Sequence, residues 1–277
     1  MTKDTAGTPP PGSAAGAPPG NIDTTVPHSA RIWNYWLGGK DHYPVDREAG
    51  EAFRQVYPGI VDVARAVRYF LARAVRQLAG EDGIRQFLDV GTGLPTVDNT
   101  HEVAQRVAPE CRIVYVDNDP LVLVHARALL TSRPEGACGY IDADVRDPGA
   151  ILEAAAATLD FSQPVALMML GILGHVSDYD QARSIVRQLT EALPPGSYLT
   201  LSDGASTSKA REEAHQQYTQ TGAVPYQLRS PEQIAGFFDG LELLEPGVVP
   251  VSQWRPDPGL PETPRHVDTY GGMARKN

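Results

Sequence analysis

The chain has 277 residues, 42% of them apolar, and a formal net charge of −10. That much apolar material builds one large α/β domain with decorations or two small domains, and the acidic balance excludes a general nucleic-acid binder with a broad basic face. No apolar run reaches the roughly 18 residues of a membrane span and no leader peptide is visible, so a cytoplasmic protein with no membrane partner is expected.

Residues 1–26 are rich in Pro, Gly, Ala, Ser and Thr. Such a composition buries too little apolar surface to offset chain entropy and reads as a disordered tail. Residues 28–37 are aromatic and apolar, and predict a short helix stopped by Gly38 and Gly39. Lys40 opens a polar loop, and Asp46 reads as the N-cap of a helix that Pro58 and Gly59 break. The clearest helical pattern follows. Val63, Val67, Phe70, Leu71, Ala74, Val75 and Leu78 recur mostly at spacings of three and four. Arg65, Arg68, Arg73 and Arg76 lie off that stripe and read as a solvated face.

Phe87, Leu88 and Val90 then make a short buried strand that ends in the turn Gly91-Thr92-Gly93, with helical spacing over residues 97–107. Strands and helices alternate from there. Residues 112–117 are β-rich and end in Asp117; Asp119 and Pro120 start a helix as N-cap and N1. Residues 138–141 form the third strand, with a helix from Pro148 through 157, and residues 164–170 the fourth. A helix over 178–192, a strand over 196–201, a polar helix over 205–221 and a Ser230-capped helix follow. Residues 241–244 and 266–274, separated by a Pro-rich connection, are the last two strands. Repeated β-α-β units imply a doubly wound, mostly parallel sheet with both faces covered. Cys111 and Cys138 have no metal-ligand spacing and read as free thiols, so no metal is expected.

In such a sheet, ligands bind outside the carboxyl ends of the strands. The first strand brings Asp89, Gly91 and Gly93 there, the second Asp117, the third Asp142 and Asp144, and the fourth Leu170 and Gly171. Acids at successive strand ends point to a nucleoside, since a carboxylate accepts both hydrogen bonds of a ribose diol. A dinucleotide would need a third glycine where Thr96 stands. An acid beside the glycine turn repels a pyrophosphate but suits a ligand that carries an ammonium and a sulfonium.

The segments Asp89-Val90-Gly91-Thr92-Gly93, Val116-Asp117, Asp142-Ala143-Asp144-Val145 and Leu193-Pro194-Pro195-Gly196-Ser197 resemble the class I S-adenosylmethionine-dependent methyltransferases. The segments from Ser29 to Tyr43 and from Gly93 to His101 look like an actinobacterial methyltransferase family first listed as a domain of unknown function. Pro95 and the pair Trp33-Asn34 depart from the patterns expected there. The resemblance implies a Rossmann-like seven-stranded sheet with an antiparallel last strand, over residues 83–277, and a helical lid and cap over 27–82. It implies S-adenosyl-L-methionine as cofactor. Gly91, Thr92 and Gly93 would pass under the methionine part, with Asp89 near its ammonium. Asp117 would hold the ribose, Asn118 would flank the adenine, and Asp144 and Val145 would address its edge. Leu170 and Gly171 would line the floor near the methyl group. Asn34 and Lys40 would reach the cofactor from the lid.

The expected activity is methyl transfer by direct displacement to a small-molecule acceptor, with orientation a large part of catalysis. His175, just past the fourth strand, is the candidate base, and His101 its competitor. Two rival readings stand beside it: a non-catalytic cofactor-binding regulator, and an NAD(P)-dependent oxidoreductase.

Overall fold

The computed structural model describes residues 22–129, 131–257 and 265–277. Residues 1–21 of the expected tail lie outside the described residues. Residues 22–26 belong to the folded part. Ile22 packs against Leu94, Leu121 and Val122, and Asp23 O accepts a hydrogen bond from Arg31 Nη1 at 2.9 Å.

Three helices precede the sheet: α1 (Ser29–Trp36), α2 (Pro44–Val56) and α3 (Ile60–Gly80). The stripe of α3 is buried as its spacing predicts, and Val63, Phe70, Ala74, Val75 and Leu78 are wholly enclosed. Each such Val, Leu or Phe stabilises by about 1.5–3 kcal/mol, so α3 anchors one face of the sheet. Asp46 is not an N-cap. Tyr43 caps α2, and Asp46 sits at N3, fully buried, accepting from the backbone N–H groups of Tyr43 and His28 at 2.8 Å. The acid therefore stitches α2 to the start of α1. Arg31 lies 3.7 Å from both Asp46 and Asp119, and His28 Nδ1 3.0 Å from Asp119 Oδ2, which ties α1 to the sheet.

The strands are β1 (Gln86–Val90), β2 (Arg112–Asp117), β3 (Ala137–Asp142), β4 (Ala166–Leu170), β5 (Tyr198–Gly204), β6 (Glu242–Leu243), β7 (Val249–Pro250) and β8 (Thr269–Arg275). Their order is β3-β2-β1-β4-β5-β8-β6, with β7 also paired to β8. The first five run parallel, and β8 is antiparallel to β5. The order reverses between β1 and β4, which opens a crevice at their carboxyl ends. β7 is an addition to the expected seven strands. It lies in the Pro-rich connection, whose Trp254 is buried edge-on against Phe70 of α3. Arg73 is not solvated as expected: it donates to the carbonyls of Val251 and Trp254.

The crossover helices are α4 (Thr100–Val107), α5 (Pro120–Leu129), α6 (Pro148–Ala155), α7 (Tyr179–Glu191), α8 (Lys209–Thr219) and α9 (Pro231–Ala235). α3 and α4 cover one face of the sheet, while α6, α7 and α9 cover the other. α4 starts later than its spacing suggests, because Val97 is 83% exposed and Asn99 and Glu102 close a capping box at Thr100. α8 starts at Lys209 rather than 205, since the chain first extends β5 to Gly204. No helix among the described residues is long and apolar enough to cross a membrane.

Candidate functional site

The carboxyl ends of β1, β2 and β4 open into a cavity of about 470 Å³, covered on the other side by α1 and α8. Strand geometry places its first wall. Successive β1 residues point to opposite faces, so Phe87 and Asp89 share the α3 and α4 side while Leu88 and Val90 face the other core. Asp89 is buried there, and its Oδ2 accepts from Thr100 Oγ1 at 2.6 Å. Burial pushes its carboxyl up to about 6, against the opposing pull of that hydrogen bond and the Arg68 charge.

The turn after β1 is held by β2. Gly91 and Thr92 donate their N–H groups to Val116 O, and Gly93 N donates to Asp117 Oδ2 at 2.8 Å. Gly91 has φ +78°, and an added Cβ would lie 2.5 Å from Ile172, so only glycine fits. Asp117 Oδ1 accepts from Asp119 N at 3.0 Å. Burial raises the Asp117 pKa, partly offset by these two donors. A carboxylate has about four acceptor positions, so roughly two remain for another partner. Asn118, Asp144 and Val145 continue the wall. Asp144 is half-turned to solvent and paired with Arg146 at 3.0 Å, so Val145, almost fully buried, presents the drier surface.

Leu170, Gly171 and Ile172 form the floor. Past them His175 lines the cavity at the end of a 3₁₀ turn, Leu173–His175. Its ring is not buried in the packing of α7. Nδ1 lies 3.2 Å from Pro225 O and donates to it, which leaves Nε2 as the acceptor nitrogen. Burial pushes its pKa down to about 4. His101 is placed elsewhere: it is buried between α4 and the sheet, with Nδ1 2.9 Å from Tyr115 Oη.

From α1, Asn34 lines the cavity and is 3% exposed; its Oδ1 accepts from Asp41 N at 3.0 Å. Lys40 is not brought to the site. It is exposed and absent from the lining, because the turn after α1 wraps the loop around the Asn34 side chain and leaves Lys40 outward.

Several lining residues escape a reading by pattern. Arg68, expected in solvent, faces the cavity and donates to the carbonyls of Val97 and Asp98, because the loop before α4 folds back over it. Trp33, Trp36 and Phe53 build an aromatic wall, with Trp36 5.1 Å from Phe53 between ring centres. Tyr226 lies over Gly174, where a Cβ would enter its ring, and the Tyr226 hydroxyl donates to buried Asp203. Arg211, His215 and Tyr218 reach in from α8. Among the described residues, no group of three His, Cys, Asp or Glu side chains is placed to hold a metal ion.

The family model described as S-adenosyl methyltransferase matches residues 15–277. A DUF574-family protein from Streptomyces avermitilis is 47% identical, with TM-score 0.89, over 93% of this chain and all (100%) of that one. A candidate methyltransferase from Thermobifida fusca is 42% identical, with TM-score 0.85, over 94% of this chain and 98% of its own. The plantazolicin methyltransferase BpumL, solved with S-adenosylhomocysteine, shares the fold at 11% identity and TM-score 0.51, over 90% and 95% of the two chains. No curated protein matches this chain. With the family model spanning nearly its whole length, the chain belongs to the S-adenosyl methyltransferases and is an enzyme that uses S-adenosylmethionine as its cofactor.

Proposed function

We infer that the chain methylates a small-molecule acceptor inside this cavity. Residues 83–277 serve as the catalytic domain, and residues 27–82 as its helical cap and lid. The observation that carries the reading is the continuity of one cavity, from the acids at the strand ends to the aromatic wall of α1 and α2. A nucleic acid would meet an acidic chain of net charge −10.

The residues present fit the cofactor. A positive-φ glycine turn allows close approach, Asp89 offers a carboxylate for an ammonium, and Asp117 keeps acceptor capacity for a diol. Asn118, Asp144 and Val145 would border the adenine, while Thr92, Leu170, Gly171 and Asn34 would complete the walls. Bound S-adenosylmethionine supplies an electrophilic methyl group. The protein's part is to orient the acceptor, exclude water and take a proton where the acceptor has one to lose. We assign that last role to His175. Its low pKa keeps it neutral at pH 7, and Nε2 faces no internal partner among the described residues. His175→Ala should therefore lower turnover on a hydroxyl acceptor by roughly 10²-fold or more with unchanged S-adenosylhomocysteine affinity. Steady-state kinetics with full activity in the variant would remove His175 from the chemistry.

Asp89 makes the cofactor reading testable without an acceptor. Attraction for an ammonium needs the ionised carboxylate, and its pKa stands at about 6. Affinity for S-adenosylhomocysteine should be full near pH 8 and fall as pH drops through 6, by roughly tenfold at pH 5. Calorimetry at several pH values reads this directly. Asp117, also raised by burial, adds to the loss, so Asp89→Asn isolates the Asp89 share: the variant should bind more weakly and lose most of the slope. A wild-type slope in that variant would place the titrating group elsewhere.

A further inference from the structure

Among the described residues, three arginines are almost completely buried: Arg31, Arg211 and Arg229, at 4%, 3% and 2% exposure. Two have carboxylate partners. Arg31 stands between Asp46 and Asp119, and Arg229 lies 2.8 Å from Asp203. Arg211 forms no ion pair among the described residues. Its Nη1 donates to Asp268 O and to Thr269 Oγ1, while Nε is buried without a partner and Nη2 lies against Gly204. The Asp268 carboxylate is near enough to feel this charge, but it is occupied by the hydroxyls of Tyr57 and Thr207. The Tyr57 ring lies 5.9 Å from the guanidinium carbon, but no carboxylate is hydrogen-bonded to Arg211, and a buried guanidinium without one is costly.

Arg211 lines the cavity, and so do two further polar groups one and two turns along the same face of α8. Neither ring nitrogen of His215 has a partner. The Tyr218 hydroxyl is also unpartnered, on a residue 6% exposed. Asp46 is close enough to Tyr218 to raise its pKa, but Arg31 stands beside that carboxylate. Across the strand end, Ser202 is a fourth residue of the same lining with a buried, unpartnered polar atom, its Oγ. The ring of His215 stacks on Tyr226 at 5.3 Å and meets Phe53 edge-on at 4.9 Å. The cluster is therefore a set of hydrogen-bond donors and one fixed positive charge, set into an aromatic wall.

The geometry points to Arg211, His215 and Tyr218 as a carboxylate-binding subsite for the methyl acceptor, which makes that acceptor a small aromatic acid. This rests on the reading of the cavity as the site of small-molecule methylation. The guanidinium fork matches a carboxylate, Tyr218 and one His215 nitrogen add donors, and the aromatic rings take the planar body. A cationic amine would face the Arg211 charge, with the nearby Asp268 carboxylate already taken by Tyr57 and Thr207.

The test uses the full chain saturated with S-adenosylhomocysteine and 4-hydroxybenzoate as probe, titrated by ligand-observed NMR. The neutral isostere 4-hydroxybenzamide and the cation tyramine are the comparisons. The carboxylate should bind at least tenfold more tightly than either. Arg211→Met should lose at least tenfold of that affinity, and His215→Gln and Tyr218→Phe about threefold each, while affinity for S-adenosylhomocysteine is kept. The two milder variants guard against a fold defect in Arg211→Met. Equal binding of acid and amide, no binding of the acid to the wild type, or undiminished binding in folded variants would overturn the proposal. If S-adenosylhomocysteine itself fails to bind, the cofactor reading fails separately. The titration is then judged on the chain alone, where the same dependence on Arg211 is expected.

Discussion

Arg229→Met should be strongly destabilising, lowering the unfolding free energy by about 3–5 kcal/mol. The reason is the charge left behind. Arg229 Nη1 lies 2.8 Å from Asp203 Oδ2, and both side chains are almost entirely removed from solvent. Burial already raises the Asp203 pKa, and Arg229 is the main group pulling it back down. Without the guanidinium the carboxylate would have to stay charged in an apolar site or bind a proton. The penalty should therefore be largest above the folded-state pKa of Asp203 and shrink as pH falls below it. At neutral pH the melting temperature should drop by roughly 10 °C. Adding Asp203→Asn should recover much of the loss, because the buried charge is then gone. A single variant that melts within about 2 °C of the wild type would show that the pair is dispensable. Arg229 also donates to Leu173 O and Val176 O, at 2.9 and 2.5 Å, on either side of His175. The same variant should loosen the turn that carries His175.

The second large effect is on ligand binding. Asp117→Ala should weaken S-adenosylhomocysteine by at least tenfold, and by roughly 30- to 900-fold if the diol contact is worth about 2–4 kcal/mol. Two losses combine. The proposed contacts to the ribose go, and so do the acceptors for Gly93 N and Asp119 N that shape the turn. Asp117→Asn keeps one oxygen and should fall between the two. Calorimetry on folded protein measures this, and an Asp117→Ala variant of wild-type affinity would remove Asp117 from the site.

How much of this was legible in the chain depends on the range of the forces involved. α3 could be read because its apolar residues repeat with the helix period and are buried on one stripe. The strand ends could be read because an apolar run, an acid and a glycine turn are local signals, and because parallel strands bring their carboxyl ends to one edge. Asp89, Gly91, Gly93, Asp117 and Asp144 were located in that way, and all of them line the cavity.

Residues whose environment depends on a distant segment were misread. Arg68 lies off the apolar stripe of α3, which by itself means solvent, yet residues 97 and 98 arrive to enclose it. Lys40 is near the site in sequence, but the turn around Asn34 directs it outward. Asp46 looks like a cap by position, but Tyr43 takes that place, and Asp46, at N3, is bound to the backbone N–H of His28, the N-cap of α1. α8, read only as a polar helix, shows what pattern leaves open. Its polar residues recur at helical spacing, which without tertiary information marks a solvated face. Local patterning thus determined the sheet, its order of elements and the acids at its edge, because backbone periodicity and turn chemistry act over a few residues. Which polar faces turn inward was decided only when α2 and the start of β8 met α8, since burial and charge pairing depend on what packs opposite.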